Sequence, residues 1–297
     1  METGSLTREQ RFKRIQLYLD RMPSLSTTVS KVLQICDRPD TSPNDLNRII
    51  SLDPVLTGRV LKLINSAYYS LPNQITTLAR AIIMLGINTV KNLALSTAVL
   101  GNMGNPTSFP QLPMDLFWTH SLCVGVTAKA LATRKGIPPL MREEYFVAGL
   151  LHDLGKIPLA NCFPEEYGLA FDRAAATQSP LFGFETELVE FDHGRVGGMI
   201  SEKWKLSGNI TAVLSHHHSI DGVEENQHNL VGIVALANIY ANIYDIGSAG
   251  DRFQDETTVS QVLESIDMAW SDLFELEETI QEEIEKARIF LDISKGA

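Results

Sequence analysis

Gly149-Leu150-Leu151-His152-Asp153-Leu154-Gly155-Lys156-Ile157 sets an imidazole beside a carboxylate, with a lysine one helical turn on, in an otherwise apolar run. Apolar residues on both sides predict a buried helix, and a charge buried there is unfavourable unless it finds a metal ion or a partner. Neighbouring helical positions differ by about 100° in direction, so His152 and Asp153 can reach one ion from a single backbone. Lys156, four residues beyond His152, falls on nearly the same face. A helix expected over 143–157 would thus supply two ligands and a phosphate-facing cation.

Working outward, six of the seven histidines lie between residues 120 and 218. His120 sits in a helical pattern with Phe117, Leu122 and Val126. His193 follows the acidic run 185–192, and His216-His217-His218 closes an apolar segment. Imidazole is the commonest metal ligand, and a mixed imidazole and carboxylate set suits iron, manganese, nickel or zinc. The competing reading is a hydrogen-bonded polar core, because a His-Asp pair also arises by chance. Three consecutive helical histidines cannot all face one point, so two at most would bind an ion.

The order His120, His152-Asp153 with Gly155-Lys156, His193 and His216-His217 resembles the ligand order of the HD superfamily of metal-dependent phosphohydrolases, in the arrangement of the HD-GYP phosphodiesterases. A second set of motifs narrows the resemblance to the HDOD domain. It comprises Met22-Pro23-Ser24-Leu25-Ser26, Asn44-Asp45-Leu46-Asn47-Arg48-Ile49-Ile50-Ser51-Leu52-Asp53-Pro54-Val55-Leu56-Thr57, Asn65-Ser66-Ala67-Tyr68-Tyr69, Ala81-Ile82-Ile83-Met84-Leu85-Gly86, Asp192-His193-Gly194-Arg195-Val196-Gly197-Gly198 and Trp204-Lys205-Leu206. The resemblance spans residues 20–245. It implies an all-α, HD-domain-like bundle with an N-terminal helical subdomain, in which Asn65 to Tyr69 dock onto the second half.

The same resemblance implies the metal ligands His120, His152, Asp153, His193, His216 and His217, holding one or two divalent ions. In an active enzyme, Asp153 and Lys156 would be the catalytic residues, Asp153 bridging the ions and Lys156 steadying a phosphate oxygen. The chain departs from the pattern in several places. His218 stands where HD-GYP proteins have Glu, no Gly-Tyr-Pro follows Asp221-Gly222, and Asn238 replaces a late Asp. Leu116 also stands where some binuclear members place Glu. HDOD domains are generally regarded as noncatalytic relatives acting in bacterial signalling. The first expectation is therefore a signalling protein with a metal site for a phosphorylated or nucleotide ligand and a surface for a signalling protein partner. An active metal-dependent phosphohydrolase is the alternative.

Composition bounds the rest. With 297 residues and 44% hydrophobic content the chain can bury a large core. A net charge of −11 argues against nonspecific nucleic-acid binding. A DNA-binding regulator working through the N-terminal helices is a weaker reading, because residues 54–100 carry only Arg59, Lys62, Arg80 and Lys91 as cations. Cys36, Cys123 and Cys162 are odd in number and widely spaced, which predicts free thiols and a reducing, cytoplasmic setting. No apolar run reaches membrane-spanning length, and no signal peptide is evident. Ser26 or Thr27, Ser42, Asp53 and Thr77 are expected helix caps, and the breaker-rich stretch 101–113 a linker. The expected organisation is 1–112, 113–250 and an acidic helical segment over 251–297 that covers the domain or pairs in a homodimer.

Overall fold

Caps written in the sequence start the first helices. In α1 (Arg8–Arg21) the Thr7 side chain accepts from the Gln10 N–H, and the Gln10 side chain returns to the Thr7 backbone. Ser26 caps α2 (Thr27–Cys36), while Ser42 and Asp45 form a reciprocal box on α3 (Pro43–Ile50), with Pro43 where a missing N–H has no cost. Asp53 caps α4 (Pro54–Ile64), and Thr77 caps α5 (Leu78–Leu85). Gly86, at φ +87°, turns the chain into α6 (Ile87–Asn102). The computed structural model describes residues 6–102 and 109–294. Residues 103–108 of the breaker-rich linker lie outside the described residues.

The second half opens with α7 (Met114–Arg134) and α8 (Pro139–Leu151), followed by α9 (Lys156–Cys162), α10 (Pro164–Thr177), α11 (Leu181–Val189), α12 (His193–Trp204) and α13 (Gly208–His216). A short 3-10 turn at Glu225–Gln227 leads into α14 (His228–Ile243). The acidic end folds as α15 (Glu256–Ser265), α16 (Trp270–Phe274), α17 (Glu277–Ala287) and α18 (Ile289–Ser294). Among the described residues there is no strand, as the all-α reading requires.

The helix predicted over 143–157 is two helices, because α8 stops at Leu151 and residues 152–155 form a turn before α9. Pro158 lies in the first turn of α9, where its missing N–H leaves no hydrogen bond unmade. The break carries His152 and Asp153 out of a regular helix and into the middle of the bundle.

Packing explains why that turn is central. α7 lies against α8, α14 and α17, while α12 packs on α9 and α13. Where α7 crosses α8, Gly125 and Gly149 face each other so closely that a Cβ on Gly149 would come within 2.8 Å of the Gly125 Cα. Small residues at the crossing let the two backbones approach and bring His120 beside His152. The buried apolar side chains form one contiguous core from Ile15 to Ile293, with a small satellite of Ala170, Ala174 and Leu181. Among the described residues no single helix is long and apolar enough to cross a membrane, and α5 with α6 passes such a test only as a pair bent by 119°.

Candidate metal centre

Asp153 sits at the focus of the second half. Its side chain is fully buried, as are those of His152, Lys156 and His193, while His120 and His217 are nearly so. Five elements converge on it. α7 supplies His120, the turn after α8 supplies His152 and Asp153, α12 supplies His193, the end of α13 supplies His217, and α14 supplies Asn238. The Asp192 side chain caps α12, which fixes His193 as that helix's first residue.

The two carboxylate oxygens face different groups. Oδ2 lies 3.2 Å from His152 Nε2 and 3.8 Å from His120 Nε2. Oδ1 lies 3.3 Å from His193 Nε2 and 3.5 Å from His217 Nε2. The Asn238 Oδ1 is 3.0 Å from His120 Nε2. Potential ligand atoms therefore fall into two sets that share Asp153, one of His120, His152 and Asp153, the other of Asp153, His193, His217 and His218.

The tautomers follow from the outer partners, since a carbonyl or carboxylate can only accept. His152 Nδ1 donates to the Gly149 carbonyl at 2.7 Å, and His217 Nδ1 to the Val213 carbonyl at 3.0 Å. His193 Nδ1 donates to Glu185 Oε2 at 2.6 Å. In these three rings, when neutral, Nε2 carries a lone pair and points at an Asp153 oxygen, whereas His120 turns its Nε2 to the Asn238 amide oxygen, an acceptor, and leaves its Nδ1 buried without a partner. Lone pair against lone pair is repulsive without a cation between them. Consistently, His152 Nε2 and Asp153 Oδ1 are buried with no hydrogen-bond partner. Orphaned acceptors of this kind, with the opposite ring nitrogens fixed by outer partners, are what a divalent ion requires, so the donor set fits the metal expected from the sequence.

Electrostatics favour the neutral state for His120, His217 and His218. Burial, reinforced by His152, pushes His120 down to about 3, so it is a neutral imidazole at neutral pH. Burial likewise takes His217 down to about 4 and, with His217 and His193 beside it, holds His218 well below the usual range. His193 departs in the other direction. Burial works against its charged form, but the Glu185 carboxylate outweighs this and raises it. For Asp153 burial opposes ionisation, yet His152 and the Lys156 ammonium hold the carboxyl well below the usual carboxylate range.

The structure brings together His120, His152, Asp153, His193 and His217, but not His216. His217 follows Val213 by one helical turn and shares its inward face, whereas His216 is rotated by about 100°. His216 lines an outer groove of about 1040 Å³ with Phe12, Lys13, Asp192 and Arg195. Beyond the end of α13 the chain folds back, and His218 Nε2 arrives 2.8 Å from His193 Nε2. The His218 ring also stacks on Phe182, with centroids 5.3 Å apart and planes 8° apart. The pair facing the centre is thus His217 and His218.

Lys156 also differs from its expected seat. Its ammonium bonds Asp153 Oδ2 at 2.9 Å and Asp251 Oδ2 at 2.6 Å, wholly inside the protein. It is held between two carboxylates rather than offered to a ligand. Sequence reasoning passed over Asp251 and Glu185. Glu185 was one acid in an acidic run, and its only mark was lying eight residues before His193. Asp251 carried no signal, since its role arises from the fold.

The HDOD domain profile matches residues 22–220. The chain belongs to the HDOD family. Its fold is similar to that of an HDOD domain protein of unknown function from Geobacter sulfurreducens, with a TM-score of 0.74 at 23% identity, covering 96% of this chain and 99% of that one. It is also similar to a candidate phosphohydrolase from Shewanella amazonensis, with a TM-score of 0.70 at 23% identity over 95% and 98% of the two chains. At 23% identity the likeness to these two solved structures is one of fold. An uncharacterized protein of Treponema pallidum is 24% identical over 227 residues, which is 76% of this chain, and the match spans 43% of that relative's length.

Proposed function

We propose that this HDOD protein is a metal-binding signalling protein whose centre, loaded with one or two divalent ions, takes the phosphate of a phosphorylated ligand. The observation that carries the reading is the pair of buried, unpartnered atoms, Asp153 Oδ1 and His152 Nε2, amid imidazole nitrogens that a divalent cation would satisfy together. His120, His152 and Asp153 would hold one ion, with the Asn238 amide oxygen alongside. Asp153, His193, His217 and His218 would hold the other. A divalent ion supplies positive charge and Lewis acidity toward phosphate oxygen. The chain's own residues orient and fix the donors, with Glu185 holding the His193 ring and the Gly149 and Val213 carbonyls setting tautomers. Two features favour binding over turnover. Lys156 is committed to two carboxylates, and Asn238 brings no charge where hydrolytic relatives carry an acid.

The second reading, an active phosphohydrolase, is supported by the way both oxygens of Asp153 face a separate donor set. Elemental analysis of tag-free protein tests the shared premise. One or two ions per chain that vanish in Asp153→Ala and His152→Ala are expected, and a metal content unchanged by both substitutions would sink the proposal. Calorimetry should then detect inorganic phosphate binding to the loaded protein and none to the stripped protein. Release of phosphate from phosphate esters or cyclic dinucleotides, above the level of Asp153→Ala, would decide for the hydrolase.

A further inference from the structure

Asp251 is buried at 3% exposure in the connection after α14, and nothing in the donor sets above accounts for a charge there. Its Oδ1 accepts the Leu181 N–H at 3.1 Å, which ties the carboxylate to the first residue of α11. Its Oδ2 takes the Lys156 ammonium at 2.6 Å and lies 3.7 Å from His218 Nε2. The same ammonium reaches Asp153 Oδ2 at the longer distance of 2.9 Å. Lys156 is therefore shared, with its shorter bond to Asp251.

The sharing matters because Asp153 Oδ2 is the oxygen that faces His120 and His152. An ammonium paired with that oxygen alone would occupy its lone pairs and repel any cation approaching the two imidazoles, in a site where water cannot screen the repulsion. A second carboxylate on the far side of the ammonium takes up its charge.

Resting on the metal-binding reading above, we propose that Asp251 is the charge-balancing carboxylate of the centre. It draws Lys156 off Asp153 and keeps Asp153 available to divalent ions, supplying from the connection after α14 the anionic charge that Asn238 lacks on α14 itself. Asp251 acts through Lys156 and Asp153, so it is a positioning residue rather than a ligand.

The test measures zinc affinity of the full chain by competition with a chromophoric chelator, with circular dichroism to follow folding. Asp251→Asn keeps the shape and an oxygen for the Leu181 N–H but removes the charge, so Lys156 relaxes onto Asp153. Zinc affinity is expected to fall about 10–100-fold, the range for lost outer partners of metal ligands. The double variant Asp251→Asn with Lys156→Met removes the ammonium as well, and its affinity should return to within about threefold of the parent, a non-additivity expected of coupled charges. Parental affinity in Asp251→Asn would overturn the inference, as would a double variant no better than the single one. If Asp251→Asn does not fold, the double variant decides alone, near-parental affinity supporting charge balance and a tenfold or greater loss overturning it. A parent chain that binds no zinc removes the metal reading itself, and this inference with it, a result distinct from a parent that binds while Asp251→Asn is unaffected.

Discussion

At the scale of residues, Glu185 shows how one buried carboxylate organises a donor. It accepts the His193 backbone N–H at 2.8 Å, the His193 Nδ1–H at 2.6 Å and the Tyr167 hydroxyl at 2.7 Å. Glu185→Gln replaces one accepting oxygen with an amide nitrogen, so at least one of these donors loses its partner. The expected cost is about 1–3 kcal/mol in urea unfolding for a buried group left unsatisfied. The His193 ring loses its tautomer and aim, and zinc affinity should drop about 10–100-fold. A variant with parental stability and zinc affinity would show that the ring is held by packing alone. This residue also marks the limit of what the sequence made legible. His120, His152, Asp153, His193 and His217 stood out because costly side chains recur in apolar surroundings, and they do converge. Glu185 and Asp251 did not stand out, and of the three consecutive histidines the resemblance favoured His216 where the structure turns His218 to the centre. An acid in an acidic run looks solvated, and a histidine beyond a helix end has a direction set by the turn that follows.

At the scale of elements, the turn at residues 152–155 and the junction between halves carry the architecture. Helical periodicity ran unbroken through the His-Asp turn, so an apolar run of that length read as one helix. What breaks it is tertiary, because Gly155 lies against α12 so closely that an added Cβ would overlap the His193 carbonyl oxygen and come within 2.7 Å of the Gly197 nitrogen. Backbone cannot yield as a flexible side chain can. Gly155→Ala should cost about 3 kcal/mol or more, the upper part of the range for overpacking, read as a lowered denaturation midpoint. Loss of less than about 1 kcal/mol would mean that α12 can slide away from the turn. The junction was more legible. Tyr69 reaches across to Glu143 on α8 at 2.7 Å, as the HDOD resemblance implied for the Asn65 to Tyr69 segment, and Lys129 on α7 closes the group at 2.8 Å to the same carboxylate. Lys129 also lies 4.5 Å over the Tyr68 ring, and although burial works against its charge, Glu143 and Tyr68 raise its pKa. Tyr69→Phe should cost about 1–2 kcal/mol for the lost hydrogen bond. Lys129→Met should cost more, about 3–5 kcal/mol, because it strands Glu143 as a buried unpaired charge at 3% exposure. The reverse order in urea unfolding would show that the tyrosine, not the ion pair, holds the halves together.

At the scale of the whole molecule, the breaker-rich stretch and the resemblance suggested two helical subdomains and an acidic end, and one packed interior runs through all three. α18 lies on α4 and α6 of the first half, α17 on α7 of the second, and the same core runs beneath both. Sequence patterning reports which face of each helix is apolar but not which neighbour will cover it, so a breaker-rich stretch reads as a boundary even where the core continues. The three cysteines test whether that continuity makes unfolding concerted. Cys36 is on α2, Cys123 on α7 and Cys162 on α9, all free thiols. Burial pushes Cys36 and Cys162 up to about 11 and Cys123 up to about 12, against an ordinary thiol value near 9. A raised pKa leaves the nucleophilic thiolate scarce, roughly one part in 10⁴ or less at pH 7, so alkylation of the folded chain should be slow at all three positions. Unfolding restores both access and an ordinary pKa. With one core, alkylation scored cysteine by cysteine by mass spectrometry across a urea series should rise at one shared midpoint. Labelling of Cys36 at distinctly lower urea than Cys123 and Cys162 would mean that the first half unfolds by itself. In that case the Tyr69–Glu143–Lys129 junction would be a contact between two independently stable units, and its variants would shift the Cys36 midpoint while leaving the other two in place.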